Sequence, residues 1–328
     1  MRDTPEPVPG PGQVVVSVSH CGICGSDLHE YSAAGPSLRA AGVFQRVMGH
    51  EFTAIVSALG EGVSGLHEGD PVVVHPGGAC GKCWHCAHNA SNVCADQVGI
   101  GYRFAGAYAE RCLARADQCL SLPGPEWLER AALTEPLGVA LRAVNRGALQ
   151  ASETVFIAGG GPIGILTLIA ARRKGAGTII VSEPAESRRQ LALQLGADHA
   201  IDPAKSASLQ VRELTGGLGA DLSIEAVGIK PTMDDALAST RRAGRIVIAG
   251  SFDQPYTLPL INLIVQEQSI VATFGYVGEF AQARDLICSG ELDVTPLISR
   301  TVSLDDLPVT FEDMTRSRNE YQKVLVRP

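Results

Sequence analysis

Short apolar runs separated by turns make up residues 1–125. The runs at 14–18, 52–57 and 72–75 are rich in valine and other β-formers, and glycine and proline occupy the segments between them. Branched and aromatic side chains favour strands, while glycine and proline favour turns. This part of the chain is therefore predicted to form short strands and loops.

The pattern changes after the Pro-Gly-Pro sequence at 123–125. Helices are predicted at 127–133 and 137–144, and strands and helices alternate from residue 154 onward. The predicted strands of this region lie at 154–158, 178–182, 200–201, 222–226, 245–249 and 270–274. Its helices lie at 163–171, 185–195, 207–215 and 232–240. Two further helices, at 279–289 and 305–317, and a strand at 323–326 follow. This alternation indicates an α/β domain whose parallel sheet is covered by helices on both faces.

A glycine-rich turn joins the first strand of this region to its first helix. Gly159, Gly161 and Gly164 fit the pattern G-x-G-x-x-G, with Pro162 and Ile163 opening the helix. The three glycines permit a tight turn, close approach of a pyrophosphate and close packing of helix on strand. The next strand ends in Glu183, 19 residues beyond Gly164, where a carboxylate can bind an adenosine ribose. The pattern favours a Rossmann dinucleotide site over an ordinary strand-helix-strand unit.

Composition excludes several other classes of protein. The 328 residues are 45% hydrophobic and 19% charged, with a net charge of -8. This balance is typical of a globular chain and argues against a nucleic-acid partner. The apolar runs are too short to span a membrane, and no secretion signal is evident, so we expect a cytoplasmic protein.

Four of the nine cysteines form the strongest single motif. Cys80, Cys83, Cys86 and Cys94 have the spacing of a closed structural zinc site, because four thiolates complete a tetrahedral shell. The alternative, two disulfides or four inert thiols, is disfavoured without a secretion signal. His85 and His88, inside this lobe, are expected to be exposed rather than ligands.

A second constellation is more dispersed. Cys24, His50, Glu51 and Glu135 are all metal-binding residue types, but their spacing alone favours ordinary packing roles over a metal site. Cys21 and Cys24 also form a C-x-x-C pair, so a redox dithiol is a competing interpretation.

The order of the motifs resembles that of zinc-containing medium-chain dehydrogenases, especially the polyol branch of 2,3-butanediol, sorbitol and threonine dehydrogenases. The resemblance covers nearly the whole chain and rests on five ordered motifs: Cys21-Gly-Ile-Cys24-Gly-Ser-Asp-Leu-His-Glu30, Gly49-His-Glu-Phe52, the four-cysteine lobe, Glu135-Pro-Leu137 and the glycine turn. It implies a GroES-like β-barrel domain at 1–136 and 275–328, with the Rossmann NAD-binding domain inserted at 137–274. The active site would lie in the cleft between the domains.

The same resemblance assigns roles to individual residues. Cys24, His50 and Glu51 would hold a catalytic zinc, with Glu135 as a fourth ligand, directly or through water, and Asp27 fixing His50. Ser26 would accept the alcohol proton and His29 would pass it to solvent. A zinc-bound alcohol has a lowered pKa and releases hydride to the nicotinamide more readily. The resemblance also implies a homodimer or homotetramer.

Cofactor choice follows from charge. Glu183 favours NAD, because a carboxylate repels the 2′-phosphate of NADP. Arg188 and Arg189 are cations that could bind that phosphate, or they could form a solvated helix face, which we favour. The resemblance, together with Glu135, implies a polyol or secondary alcohol as substrate, and a vicinal diol can give zinc a second oxygen.

Other interpretations remain open at the sequence level. A zinc-free quinone reductase of the same superfamily would lack both sets of metal-binding residues, which this chain has. A nucleotide-binding protein without enzymatic activity is the other rival. The family begins with about 25 further residues forming two strands, so we expect that Met1 is an internal methionine taken as the start, or that the chain is truncated; the missing strands would leave a barrel edge unpaired.

Overall fold

The computed structural model describes residues 3–31, 47–317 and 320–328. Met1, on which the expectation about the start depends, lies outside these residues. The chain divides into two compact units, Met1–Gly138 with Gly275–Pro328 and Val139–Phe274. No helix in the described ranges is long and apolar enough to cross a membrane.

The strands, in chain order, are β1 Gln13–Gly22, β2 Glu51–Leu59, β3 Pro71–Val74, β4 Gly77–Gly78, β5 Val98–Gly99, β6 Arg111–Arg115, β7 Cys119–Ser121, β8 Val155–Ala158, β9 Ile179–Ser182, β10 His199–Ile201, β11 Ala220–Glu225, β12 Thr240–Ile248, β13 Ser269–Ala272, β14 Ile298–Ser303 and β15 Lys323–Arg327. The α-helices are α1 Gly25–Tyr31, α2 Trp84–Ala87, α3 Leu128–Ala131, α4 Thr134–Arg146, α5 Pro162–Arg173, α6 Glu186–Gln194, α7 Ala207–Leu214, α8 Lys230–Ser239, α9 Leu260–Gln266, α10 Glu279–Cys288 and α11 Leu307–Arg316.

The first unit is built around strand β1. Its seven-stranded sheet has the order β14-β15-β1-β2-β3-β7, and β6 also pairs with β1. β1 runs antiparallel to β2, β6 and β15, so one strand joins the two sequence segments of the unit. The apolar positions of β1 and β2 pack into one buried cluster, which includes Val14, Val16, Phe52, Ala54 and Val324.

The second unit has the predicted doubly wound architecture. Its six-stranded sheet is parallel throughout and has the order β10-β9-β8-β11-β12-β13. This is the Rossmann order, in which the strand order reverses beside the first strand, β8, and leaves a crevice there. All four residues of β8 and of β9 are buried, as expected for strands covered on both faces.

Three helices were not predicted: α1, the four-residue α2 and α9. α1 has the sequence Gly-Ser-Asp-Leu-His-Glu-Tyr, which has no apolar period, and it depends on Asp27, whose side chain accepts a hydrogen bond from the Cys24 N–H at 2.9 Å. α9 is almost wholly apolar and has no buried residue, so no amphipathic pattern marks it. The helix predicted at 127–133 is also shorter, because Pro125–Trp127 is a 3₁₀ turn that precedes α3.

Candidate active site and metal centres

Strand pairing brings the dispersed metal-binding residues together. β1 ends at Gly22, which pairs with Glu51, the first residue of β2. Cys24 follows β1 by two residues and His50 precedes β2 by one. The register of one antiparallel pair therefore places all three side chains at the same end of the sheet.

Cys24, His50 and Glu51 form a compact group. One potential ligand atom from each residue lies within 4.8 Å of the others. His50 and Glu51 are 2% and 1% exposed, and Cys24 is half-buried. A thiolate, an imidazole and a carboxylate are the ligand types of a catalytic zinc, which keeps its fourth position open. The donor set therefore fits zinc.

Gly22 makes room for the Glu51 carboxylate. A Cβ at Gly22 would lie 2.3 Å from Oε2 of Glu51 and 3.3 Å from the Lys323 side chain. Such contacts are far inside van der Waals distance, so any larger residue would displace the carboxylate. The second position of the Cys-Gly-Ile-Cys motif is therefore glycine for a steric reason: a side chain there would clash with Glu51.

Asp27 organises the residues behind this group. Its Oδ2 accepts hydrogen bonds from the Cys24 N–H at 2.9 Å and the Tyr108 hydroxyl at 2.7 Å. Its Oδ1 lies 3.7 Å from Nδ1 of His50. Burial disfavours the charged imidazole, but the Asp27 carboxylate, with Cys24 and Glu135, raises the pKa of His50 to about 10. The site is thus rich in negative groups that a bound cation would neutralise.

Lys323 supplies a cation that sequence reasoning did not find. Its Nζ lies 2.6 Å from Oε2 of Glu51 and donates a hydrogen bond to the Ile23 carbonyl at 3.0 Å. Burial alone would lower the pKa of Lys323, but Glu51 raises it above its ordinary value. The ammonium group therefore stays charged and holds one carboxylate oxygen of Glu51.

Glu135 lies near the three-residue group but is not part of it. The Tyr276 hydroxyl donates a hydrogen bond to its carboxylate, and His50, Glu51 and Lys323 all act on its charge. Burial raises the pKa of Glu135 to about 7, although His50 opposes this shift. The structure therefore places Glu135 beside the site, bound to a tyrosine.

Ser26 and His29 lie on the same face of α1, three residues apart. The Oγ of Ser26 is 3.5 Å from the Tyr102 hydroxyl, which in turn is 2.7 Å from Nε2 of His50. His29 is half-buried on the next turn. Tyr102 thus connects Ser26 to His50, a link that the sequence did not predict.

The four-cysteine lobe has the dimensions of a zinc shell. The Sγ atoms of Cys83 and Cys86 are 3.5 Å apart, those of Cys83 and Cys94 are 3.8 Å apart, and those of Cys80 and Cys86 are 3.9 Å apart. A tetrahedron with Zn–S bonds of about 2.3 Å has edges of about 3.8 Å. The backbone N–H of Cys86 lowers the pKa of the Cys83 thiol to about 6, which favours the thiolate. The arrangement fits zinc and not disulfides, since all nine cysteines are free.

The other thiols and the lobe histidines take no part in these groups. Cys21 is fully buried, and burial, aided by Asp27 and Glu51, raises its pKa well above the ordinary value, which disfavours a redox role. His88 is exposed and stacks on Trp84 at 4.2 Å, whereas His85 is half-buried rather than exposed.

The glycine turn joins β8 to α5 as predicted. A Cβ at Gly164 would lie 1.9 Å from the Gly159 carbonyl oxygen, so only glycine allows the helix to pack this closely. Gly161 is the N-cap residue, Pro162 begins the helix and Ile163 is half-buried. The N-terminus of this helix is suited to bind a pyrophosphate.

Glu183 lies beside this turn and is only 4% exposed. Its carboxylate accepts hydrogen bonds from the backbone N–H groups of Gly160 and Ala185, both at 2.9 Å. Arg188 approaches its Oε2 to 3.9 Å, and Arg189 donates to the Glu183 carbonyl at 2.7 Å. The carboxylate retains lone pairs for a ribose diol, and the arginines are held by the protein itself.

Four residues of the first unit were missed: Tyr102, Tyr108, Tyr276 and Lys323. Each contacts a site residue that is far away in sequence; Tyr108 and Asp27, for example, are separated by 81 positions. Tyrosines in loops and a lysine in a strand carry no local signal of such contacts.

Known proteins resemble this chain along its whole length. Residues 10–124 match the alcohol dehydrogenase GroES-like domain, and residues 162–289 match the zinc-binding dehydrogenase family. Sorbitol dehydrogenase from Bacillus subtilis strain 168 is 33% identical over 96% of this chain and 90% of the relative.

Solved structures agree with these matches. The structure of 2R,3R-butanediol dehydrogenase from Bacillus subtilis has a TM-score of 0.88 and 31% identity, covering 100% of this chain and 95% of the other. An NADP-bound protein of Sinorhizobium meliloti 1021, classed with the zinc-binding dehydrogenases, has a TM-score of 0.89 and 30% identity, with the same coverages. This chain therefore belongs to the zinc-containing medium-chain dehydrogenases, an oxidoreductase family, and is most similar to their polyol branch.

Proposed function

We propose that this protein is a zinc-dependent dehydrogenase that transfers hydride between NAD and a secondary alcohol or polyol of the butanediol, sorbitol or threonine type. The observation that carries the proposal is the group formed by half-buried Cys24 with buried His50 and Glu51, in a chain that also has a dinucleotide turn. The names of the relatives support this substrate class, and so do the hydroxyl groups of Tyr102 and Tyr276 around the site.

Cys24, His50 and Glu51 would hold the catalytic zinc, with Glu135 as a fourth ligand, directly or through water. When bound, zinc polarises the alcohol oxygen and makes its proton easier to remove. Asp27 fixes the His50 ring, and Lys323 holds the Glu51 carboxylate in place. Ser26 would take the proton of the alcohol oxygen and His29 would pass it to solvent; NAD, when bound, would supply the hydride acceptor.

Cys80, Cys83, Cys86 and Cys94 would hold a second zinc that stabilises the lobe. Four thiolate ligands leave no open position for substrate, so this zinc has a structural role. The near-tetrahedral sulfur distances support two zinc ions per chain.

NAD is the proposed cofactor. Gly159, Gly161 and Gly164 form the turn, and Glu183 accepts hydrogen bonds from the ribose diol. The buried charge of Glu183 disfavours a 2′-phosphate, although a relative binds NADP and Arg188 lies near Gly161. We expect measurable but weaker use of NADP.

We also propose that the protein is a cytoplasmic homodimer or homotetramer. The edge strand β13 has an unpaired side among the described residues, and the adjoining helix α9 exposes Leu260, Ile261, Ile264 and Val265 at 62–69%. Apolar surface of this kind is typical of an interface. A second copy is the proposed occupant, because an edge strand can pair with its own copy about a two-fold axis.

A substrate panel tests the proposal. Purified protein is assayed for NAD reduction with vicinal diols and with secondary alcohols, with and without a chelator. We expect turnover that Cys24→Ser and chelation abolish and that the control Cys288→Ser, a thiol outside both groups, retains. A folded, zinc-loaded protein that is inactive on the whole panel would contradict the proposal and favour a role in nucleotide binding alone.

A further inference from the structure

Tyr102 is held firmly next to the candidate catalytic group. It lies in a turn in which its N–H bonds to the Gly99 carbonyl at 3.0 Å. The same turn is tied to the segment before His50, because the N–H groups of Gly106 and Ala107 bond to the carbonyls of Val47 and Gly49 at 2.7 and 2.9 Å. The backbones that carry Tyr102 and His50 are thus joined directly.

The hydroxyl of Tyr102 lies among the residues proposed to act on substrate. It is 2.7 Å from Nε2 of His50 and 3.5 Å from Oγ of Ser26, and the Tyr102 and His50 ring centroids are 4.5 Å apart. The Nδ1 side of His50 faces Asp27, so the Tyr102 hydroxyl lies on the opposite side of the imidazole. Nε2 is the nitrogen through which His50 would hold a metal, so a bound zinc would replace the Tyr102 hydroxyl at this nitrogen and leave that hydroxyl beside the site for another partner.

The other two tyrosines of the site are already engaged. The Tyr108 hydroxyl bonds to Asp27 and to the Gly22 carbonyl, at 2.7 and 3.1 Å, and thereby supports the framework. The Tyr276 hydroxyl donates to Glu135. The Tyr102 hydroxyl instead contacts two groups that the reaction itself uses, Ser26 and His50.

A phenol can both donate and accept a hydrogen bond, which suits a neutral hydroxyl partner. A polyol presents such a hydroxyl on the carbon next to the reacting carbon. We propose that Tyr102 determines specificity by binding this second hydroxyl, and so selects vicinal diols over simple secondary alcohols. This inference rests on the proposed dehydrogenase function and deepens it.

The test separates binding from turnover. A ketone and NAD⁺ form a complex that cannot react, so calorimetric titration of zinc-loaded enzyme with NAD⁺ measures binding alone. The probes are 3-hydroxy-3-methylbutan-2-one, a tertiary alcohol with no hydride to lose, and 3-methylbutan-2-one, which differ only by the hydroxyl. The variant is Tyr102→Phe, and the control is Tyr31→Phe, whose ring packs on Phe311.

We expect wild type and Tyr31→Phe to bind the hydroxyketone more tightly. Tyr102→Phe should lose about five- to tenfold in affinity for it and little for 3-methylbutan-2-one, because one neutral hydrogen bond is lost. The kcat/KM for butane-2,3-diol should fall relative to that for butan-2-ol, mainly through KM. Metal analysis should show the same zinc content in all three proteins.

Three outcomes would contradict either the role of Tyr102 or the dehydrogenase function on which that role rests. An unchanged affinity ratio in an active Tyr102→Phe enzyme overturns the Tyr102 role alone. Loss of zinc from Tyr102→Phe also overturns it, because the hydroxyl would then serve the metal. A wild-type protein that oxidises no alcohol and binds neither ketone overturns the dehydrogenase function, and the Tyr102 role with it.

Discussion

Nζ of Lys323 and Oε2 of Glu51 are 2.6 Å apart, with side chains 3% and 1% exposed. The ammonium also donates to a backbone carbonyl, so both charges are satisfied inside the protein. A buried carboxylate without this partner would carry an uncompensated charge.

Replacing Lys323 by methionine should therefore destabilise the protein strongly. We expect a loss of about 3–5 kcal/mol in the free energy of unfolding, because Glu51 would remain buried and unpaired. Denaturant unfolding of the chelator-treated, zinc-free protein measures this, because a bound zinc would itself neutralise the Glu51 carboxylate. Lys230→Met, which removes an ion pair with Asp234 at 74% lysine exposure, should cost less than about 1 kcal/mol. Equal losses in the two variants would show that the buried Lys323–Glu51 pair stabilises the protein no more than the exposed Lys230–Asp234 pair does.

Cys83→Ser should remove one of two zinc ions and leave the other in place. The lobe would lose a thiolate that completes its shell, while the Cys24, His50 and Glu51 group is separate. Metal analysis by mass spectrometry should give about one zinc per chain for the variant and two for the wild type. Cys119→Ser, a half-buried thiol outside both groups, is the control and should keep both ions. If Cys83→Ser also keeps both zinc ions, the four-thiolate site is ruled out.

Glu183→Ala should shift cofactor preference toward NADP. The variant loses a charged acceptor for the ribose and a charge that repels the 2′-phosphate, and it leaves Arg188 nearby. A charge-assisted hydrogen bond corresponds to about a ten- to hundredfold change, which we expect in the ratio of kcat/KM for NAD to that for NADP. Glu186→Ala removes a neighbouring carboxylate with 70% side-chain exposure and should leave the ratio unchanged. An unchanged ratio in the Glu183 variant would contradict the NAD assignment.

Stability should fall in mild acid because of His75. Burial between Tyr276 and Phe280, whose rings are 4.7 and 4.8 Å away, lowers the pKa of His75 from 6.5 to about 4. Below about pH 6.5 this imidazole is protonated in the unfolded chain but stays neutral in the folded protein down to about pH 4. The contribution of His75 to the free energy of unfolding is therefore fully present above pH 6.5 and is lost as the pH falls toward 4. The loss reaches roughly 3 kcal/mol.

Unfolding midpoints of wild type and His75→Gln between pH 4 and 7 measure this contribution. The variant should show a shallower decline, since glutamine does not titrate. His67→Gln, whose imidazole is 83% exposed, should follow the wild type. Parallel pH profiles for wild type and His75→Gln would refute the assignment.

The features predicted correctly from the sequence are those formed by residues that lie close together along the chain. The strand, turn and helix around Gly159 are contiguous, and burial on both faces gives β8 and β9 unbroken apolar runs, so the Rossmann unit follows from the pattern. The four cysteines also lie within 15 residues, so their spacing itself defines the lobe.

The catalytic group could not be identified from the sequence pattern alone. Cys24, His50 and Glu51 meet through the register of β1 and β2, which spacing alone does not reveal, and family resemblance identified them. Tyr102 is 52 positions away from His50 in the sequence, and Lys323 is 272 positions away from Glu51. Only the packing of a loop and of a strand brings these two residues to the site. Helix α9 was missed because four of its five apolar residues face outward, while Leu263 alone packs against a buried cluster.

The separation of Lys323 from Glu51 also dictates the order in which the protein can be assembled during translation. Glu51 is synthesised 272 residues before Lys323, and the whole Rossmann unit is synthesised in the interval. Domains generally fold as units as they emerge. The nucleotide-binding half can thus be complete while the carboxylate still faces water, and the interior of the metal-binding half closes last.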